Sequence, residues 1–478
     1  MARTLKSRKK VSQDSRSKGQ LPKRRQTRKH KSADRGGSVI AAGSYGCVFR
    51  PSLRCNGATS ASSSLKKSSL SESSDHYVSK LGRKSVIDSE YKMMSNLRSI
   101  LDSVPDYEKY YGLNVTEPCE PAVLDKEDLT SFDEKCKFKD ISSETVNNTN
   151  VLPTLSIMNL PYGGKSLLSW MSAGNLKNED SFLSFLRCAS RMIRNGIVPM
   201  NKKCVLHNDI HARNILVNEE DSDNNTIKDL ILIDWGLATT NTSKTIKKIV
   251  SQRDYPITRI FFSVSRKKEL LRYLEKIIMN HNIINYSYEK SSKAIKDKVY
   301  NVLLSSCLHY VMVSLTSDDD KAIVNSCGKC DSIYESILRN NGTYRDVYLP
   351  ILGEYIRIKS RTYEERSRIY DIGRTFTSFV NTLQLASMLC RYTEVSNNMI
   401  TVKFRDYFFR IYRFNADVYA MINCILYGAT KRHDSMLMIG NDSYMRMAQV
   451  ILEGVYLKST DVIDFNSICD EIDYASSS

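Results

Sequence analysis

The sequence predicts an α+β fold in which a small β-rich part is followed by a large, mostly helical one. Three observations predict it. β-Branched residues flank a glycine turn at residues 39–49 (VIAAGSYGCVF), the pattern of a β-hairpin. Two short strand-like segments, 204–218 and 230–237, bracket polar turns further along. From about residue 265 onward, apolar residues recur almost wholly at helical spacing, in 267–279, 294–315, 346–357, 371–392, 404–412, 416–427 and 444–456.

The elements come in this order. Residues 1–35 hold 14 Lys/Arg against only Asp14 and Asp34, a net +12, and have no periodic apolar residues. They read as a disordered basic tail. Its LPKRRQTRKHK block fits a nuclear-localisation patch, a contact for nucleic acid or another acidic partner, or a merely solvated appendage. The 478-residue chain carries a formal +17, so only +5 is left for everything after the tail. Basicity is therefore a property of the appendage. Behind the hairpin, 55–75 (CNGATSASSSLKKSSLSESSD) is a Ser-rich insertion. A strand resumes at 77–80, and 86–101 has helical spacing, with Ile87, Tyr91, Met94, Leu97 and Leu101 on one side. A polar stretch, 117–150, precedes a buried-looking strand at 155–160, a Pro/Gly turn and a helix; 181–195 is an amphipathic helix.

With 41% apolar and 26% charged residues overall, most of the chain is expected to be globular. No stretch approaches the ~18 uninterrupted apolar residues of a membrane span. The basic start lacks the apolar region of an ordinary secretory signal. The 12 cysteines are scattered, with one close pair, Cys327 and Cys330. They read as reduced thiols of an intracellular protein, neither a disulfide framework nor a zinc site.

Four separated segments carry chemistry. In Ala41-Ala42-Gly43-Ser44-Tyr45-Gly46-Cys47-Val48, glycines between two strands let backbone approach phosphates, and Val48 would roof an adenine ring. Lys80 closes a strand and Glu90 follows on a helix; an ammonium fixed by a carboxylate can neutralise phosphate oxygens. His207-Asn208-Asp209-Ile210-His211-Ala212-Arg213-Asn214 places a carboxylate five positions before an amide, so that one loop can orient a hydroxyl and ligate a metal. Finally, the apolar run 230–233 ends in Asp234-Trp235-Gly236-Leu237-Ala238, where Asp234 would hold Mg²⁺ between the β- and γ-phosphates.

Glycine-rich loop, strand lysine, helix glutamate, H-x-D-x-x-x-x-N and D-x-G together resemble the protein-kinase superfamily. With its Ser-rich insertion the chain looks most like the divergent serine/threonine kinases of large nucleocytoplasmic DNA viruses, such as iridoviruses. Asn415-Ala416-Asp417-Val418-Tyr419-Ala420 resembles the start of that family's central helix, whose Asp caps the catalytic loop. The resemblance implies a two-lobed fold: a small β-rich N-lobe over 36–165 and an enlarged helical C-lobe over 166–478, with a helical insertion at about 265–414. It implies ATP and Mg²⁺ as cofactors and a protein hydroxyl as acceptor. Asp209, Lys80 and His211 would be catalytic, and Asn214 and Asp234 the metal ligands. Ala41, Gly43, Ser44, Tyr45, Gly46, Val48, Lys80, Glu90, Met158 and Leu160 would line the nucleotide, with Met158 equally readable as core. It also implies action inside a host cell, in cytoplasm or nucleus, or packaging in a virion, and makes 55–75 a candidate phosphorylation target or a plain unstructured insertion.

The departures from the pattern are specific. Asn208 stands where an arginine is usual, which makes activation by loop phosphorylation less expected. His211 stands where serine/threonine kinases carry Lys, as in aminoglycoside- and choline-type phosphotransferases. Trp235 replaces Phe, and no A-P-E follows Asp234, leaving 254–262 as the stand-in for a substrate-side segment. A small-molecule phosphotransferase, a pseudokinase scaffold and a nucleic-acid-binding protein are the competing readings.

Overall fold

The computed structural model describes residues 37–43, 46–57, 76–136, 138–221, 226–240, 256, 264–314, 384–397, 399–432, 446–447, 450–451, 454–455 and 461–477. The basic tail, nearly all of the Ser-rich insertion, the 254–262 segment apart from Pro256, the 346–357 helix and the Cys327/Cys330 pair lie outside them. The chain divides into two units, Met1–Arg35 and Gly36–Ser478, and every described residue belongs to the second.

That unit is a mixed α+β structure with a small antiparallel sheet near its start and many helices. The sheet comprises β1 (Ser38–Gly43), β2 (Gly46–Arg50), β3 (Tyr77–Arg83) and β4 (Leu155–Pro161), in that order. Its register aligns Val48, Lys80 and Met158 in one row and Cys47, Leu81 and Ile157 in the next. Because side chains alternate across a pleat, these rows point to opposite faces.

The face carrying Val39, Cys47, Phe49, Leu81 and Ile157 is buried under Leu124, Phe132, Cys136, Ile141 and Val146. Residues 117–150, expected to be a polar stretch, thus supply a cover for the sheet. The residues that make the cover are spaced eight, four, five and five positions apart, so no helical or strand period marks them. Disulfides Cys47–Cys136 and Cys55–Cys119 tie that cover down. This corrects the expectation of reduced thiols for these four; the other six described cysteines are free.

The opposite face meets α1 (Lys84–Leu101), whose Ile87, Met94, Leu97 and Leu101 bury themselves with Met158. The helical part comes next. β5 (Lys165–Ser166) leads to α2 (Glu179–Arg191), started by Asn178, whose side-chain oxygen accepts from Ser181 N at 3.0 Å. Then come β6 (Val205–Leu206), β7 (Ile215–Asp221), β8 (Thr226–Leu232) and β9 (Thr239–Thr240); β6 pairs with β9, and β5-β7-β8 form a second sheet.

Beyond residue 264 lie α3 (Val264–Asn280), α4 (Lys293–Ser314), α5 (Arg413–Arg432) and α6 (Phe465–Ala475). The almost wholly helical expectation needs one correction. β10 (Tyr286–Ser287), β11 (Thr393–Ser396) and β12 (Met399–Val402) form a third antiparallel sheet. Its hairpin turns at Asn397, which has φ 49°, between runs rich in Thr, Val and Ile. Helix α5 is the buried axis of this part: Ala416, Val418, Ala420, Met421, Ile422 and Ile425 are all sealed from solvent. Among the described residues, no helix is long and apolar enough to cross a membrane.

Candidate functional site

Lys80 leaves β3 toward α1, and the ladder delivers it to Glu90 on the second turn of that helix. Its Nζ donates to both carboxylate oxygens, at 2.6 and 2.7 Å. The side chains are 16% and 12% exposed, so the pair is sheltered yet open at one end. An ammonium so held keeps one donor direction for an anion.

The second pair sits between β6 and β7. Asn214 Nδ2 donates to Asp209 Oδ2 at 2.9 Å and to the Asp209 carbonyl at 3.0 Å, curling the five-residue loop onto itself. With its nitrogen spent there, the Asn214 amide turns its oxygen away from Asp209. His211 Nδ1 accepts from Arg213 N at 3.2 Å, which leaves the ring proton on Nε2, and Nε2 lies 3.5 Å from Asp209 Oδ1. His211 therefore faces the Asp209 carboxylate.

Asp234 ends the second segment at the left-handed φ of 61°, exposed at the site, with Trp235 sealed behind it. Ile233 N donates to the Asn214 carbonyl at 3.0 Å, so the chain position before Asp234 is fixed to the Asp209 loop. The two oxygen donors left, the Asn214 amide and the Asp234 carboxylate, suit a hard cation such as Mg²⁺, which takes few protein ligands and fills its shell with phosphate and water. Among the described residues no group of three His, Cys, Asp or Glu gathers for a metal. Helix α1, which bears Glu90, packs on the Trp235–Leu237 turn that follows Asp234.

Buried polar groups hold the loop from behind. The Asp417 carboxylate, wholly buried on α5, accepts from His207 N (3.0 Å) and Asn208 N (3.1 Å). Asn201, with its amide nitrogen toward Asp417 Oδ2 (3.0 Å) and the Val205 carbonyl (3.1 Å), is a third donor. The His207 ring packs tilted against Trp235, 4.6 Å between ring centres, and its Nε2 donates to the Ile233 carbonyl at 3.0 Å. Burial pushes this imidazole down to about 4, so it is neutral. Tyr111 closes the stack edge-on to Trp235 and donates to the Gly196 carbonyl at 2.7 Å.

At the glycine hairpin, Ala41 pairs with Val48 and Gly43 with Gly46. A Cβ at Gly46 would run into the Leu81 carbonyl, so that glycine is already required by the close approach of β3. Ser44 and Tyr45 lie outside the described residues. Val48 is half-buried on the row of Lys80, and Leu160 is half-buried on the same face. Met158 is sealed in the core with α1, which favours the packing role between its two readings.

No family model and no curated protein matches this chain.

Sequence reasoning missed Asn201, Tyr111 and the clamp made by Asn208, because their partners lie far away in the chain. It also missed the disulfides, although Cys47, Cys55, Cys119 and Cys136 all precede β4, a clustering that carried the signal.

Proposed function

We propose that the chain is an ATP-dependent serine/threonine protein kinase, a divergent relative of the viral enzymes it resembles. In this reading the four-stranded sheet with α1 is the smaller lobe and the helical part the larger one. One observation carries it: the expected residues come as pre-built pairs, Lys80 with Glu90 and Asp209 with Asn214, the latter bonded through its carbonyl to the residue before Asp234.

Lys80, fixed by Glu90, would hold phosphate oxygens of ATP, with Gly43 and Gly46 above them and Val48 and Leu160 beside the base. Asn214 and Asp234 would hold Mg²⁺, which neutralises charge on the phosphates when bound. Asp209, oriented by Asn214 and His211, would accept the proton of the acceptor hydroxyl. Asp209→Asn keeps the size of the side chain and removes the base. It should abolish transfer from labelled ATP to a generic protein acceptor; transfer by the folded variant would take Asp209 out of this role.

A second reading has its own observation. The His211–Asp209 contact fits an aminoglycoside- or choline-type phosphotransferase, and assaying protein against amino-sugar and choline acceptors separates the two. A pseudokinase would bind Mg²⁺-ATP without turnover. The proposed setting is a host cell's cytoplasm or nucleus, or a virion. The two disulfides fit a chain that spends part of its life outside a reducing cytosol, as packaging would provide.

A further inference from the structure

Asn208 joins three segments that are far apart in the chain. Its N–H donates to Asp417 Oδ1 at 3.1 Å, and its side-chain Nδ2 donates to the Leu237 carbonyl at 3.2 Å and to Thr239 Oγ1 at 3.0 Å. It is 1% exposed, and its backbone has φ 61°, a region that Asn tolerates better than most residues. Before Asp234 the two stretches are tied by Ile233, whose N–H donates to the Asn214 carbonyl and whose carbonyl accepts from His207, and at Trp235 by the His207 ring; after that turn the β6–β9 pairing joins Val205 with Thr240 and Leu206 with Thr239. Two strands of two residues are a weak tie by themselves. The Asn208 amide therefore fixes the far side of the Asp234 turn, at Leu237 and Thr239, while Ile233 fixes the near side.

We propose that Asn208 is a positioning residue that sets the Asp234 turn against the Asp209 loop, so that an unmodified chain assembles the transfer site. This rests on the reading of the chain as a phosphotransferase. The residue types fit the task. Aspartate would turn a carboxylate oxygen against the Leu237 carbonyl, and alanine would lose the donor while straining the left-handed backbone. Only glycine keeps that backbone without strain while deleting the clamp. The Thr239 hydroxyl is the matching acceptor, and valine has its shape without the oxygen.

The test uses the full chain, treated with phosphatase, and measures transfer from labelled ATP at varied ATP and Mg²⁺. Wild type should keep its activity after the treatment. Asn208→Gly should lower kcat by about 10- to 100-fold, the scale of small misplacements at a reacting centre. KM for ATP should stay within about twofold, because Lys80 and Glu90 are untouched, whereas the Mg²⁺ needed for half-maximal rate should rise. Thr239→Val should lower kcat several-fold, and the double variant should be no worse than Asn208→Gly alone, since both delete one link. A merely structural role would lower the melting temperature and leave the Mg²⁺ dependence of the folded fraction unchanged. If Asn208→Gly does not fold, Thr239→Val decides. Wild-type kcat and Mg²⁺ dependence in the folded variants would overturn the proposal, as would loss of wild-type transfer on phosphatase treatment. A wild type that transfers nothing before treatment either, and equals Asp209→Asn, overturns the transfer reading itself.

Discussion

In a fully buried imidazole the loss of hydration of the charged form can outweigh what nearby acceptors return, and His207 is in that position despite its Ile233 carbonyl partner. An unfolded histidine titrates near 6.5, whereas burial holds this one down to about 4. Between those values the unfolded chain binds a proton that the folded chain refuses. The stability His207 contributes is therefore complete above about pH 6.5 and is lost as pH falls toward 4, by up to about 3 kcal/mol. Urea midpoints at pH 7.5 and 5 for wild type and His207→Gln give the check. The drop should be smaller in the variant, and equal drops would place the proton elsewhere. Asp417 illustrates the opposite polarity: a buried acceptor surrounded by donors. Asp417→Ala leaves the N–H groups of His207 and Asn208 unpaired and should cost about 3 kcal/mol, together with transfer activity. Urea denaturation of the variant measures the first loss and labelled-ATP transfer the second. At this scale the sequence was most informative where chemistry is local. Asp209 and Asn214 bond across five positions and were legible together. Asn201, by contrast, meets Asp417 across more than two hundred positions, and nothing near it in sequence announces the contact.

Among the elements, α1 was legible because it has a clean helical period, and its succession from β3 without a loop explains why Lys80 reaches Glu90. The cover over the other face of the sheet was not legible. Leu124, Phe132, Cys136, Ile141 and Val146, which make it, follow neither a helical nor a strand period, and it folds against a surface made by strands from both before and after it. Disulfides make up for what little apolar area such a cover buries. They close loops with sequence separations of 89 and 64, for which the chain-entropy model gives about 4 kcal/mol apiece, with smaller values common in practice. A dithiol reductant should therefore lower the urea midpoint and raise proteolysis within residues 117–150, and Cys55→Ser should reproduce part of the effect without reductant. Equal midpoints with and without reductant, and equal mobility on non-reducing gels, would show that these thiols are free in solution. The β10–β12 sheet was hidden for a different reason. Tyr286 and Thr393 are more than a hundred residues apart, and β10 spans only two residues, too few to display alternation.

For the whole molecule, the charge is divided rather than spread: a net +12 on residues 1–35 and +5 on all the rest. The residues proposed for transfer all lie after residue 40, in the second unit of the chain. Charge and chemistry are thus carried by different parts, and the two should separate experimentally. Each phosphate neutralised by Lys or Arg releases counterions, so binding of the full chain to duplex DNA should weaken steeply and log-linearly with salt, with a slope near −0.9 per contact. Deleting residues 1–35 should flatten that slope by several contacts' worth. Polyglutamate, which offers carboxylates without a duplex, distinguishes general attraction to polyanions from a preference for nucleic acid. The same truncation should leave kcat for labelled-ATP transfer within about twofold, because a block of like charge acts through encounter and location more than through positioned groups. If the truncated chain kept both its DNA affinity and its salt slope, the binding surface would lie on the folded body, and its +5 would have to be gathered into one patch. If transfer fell with the tail, the tail would be part of how the acceptor is held, and the acceptor would be acidic.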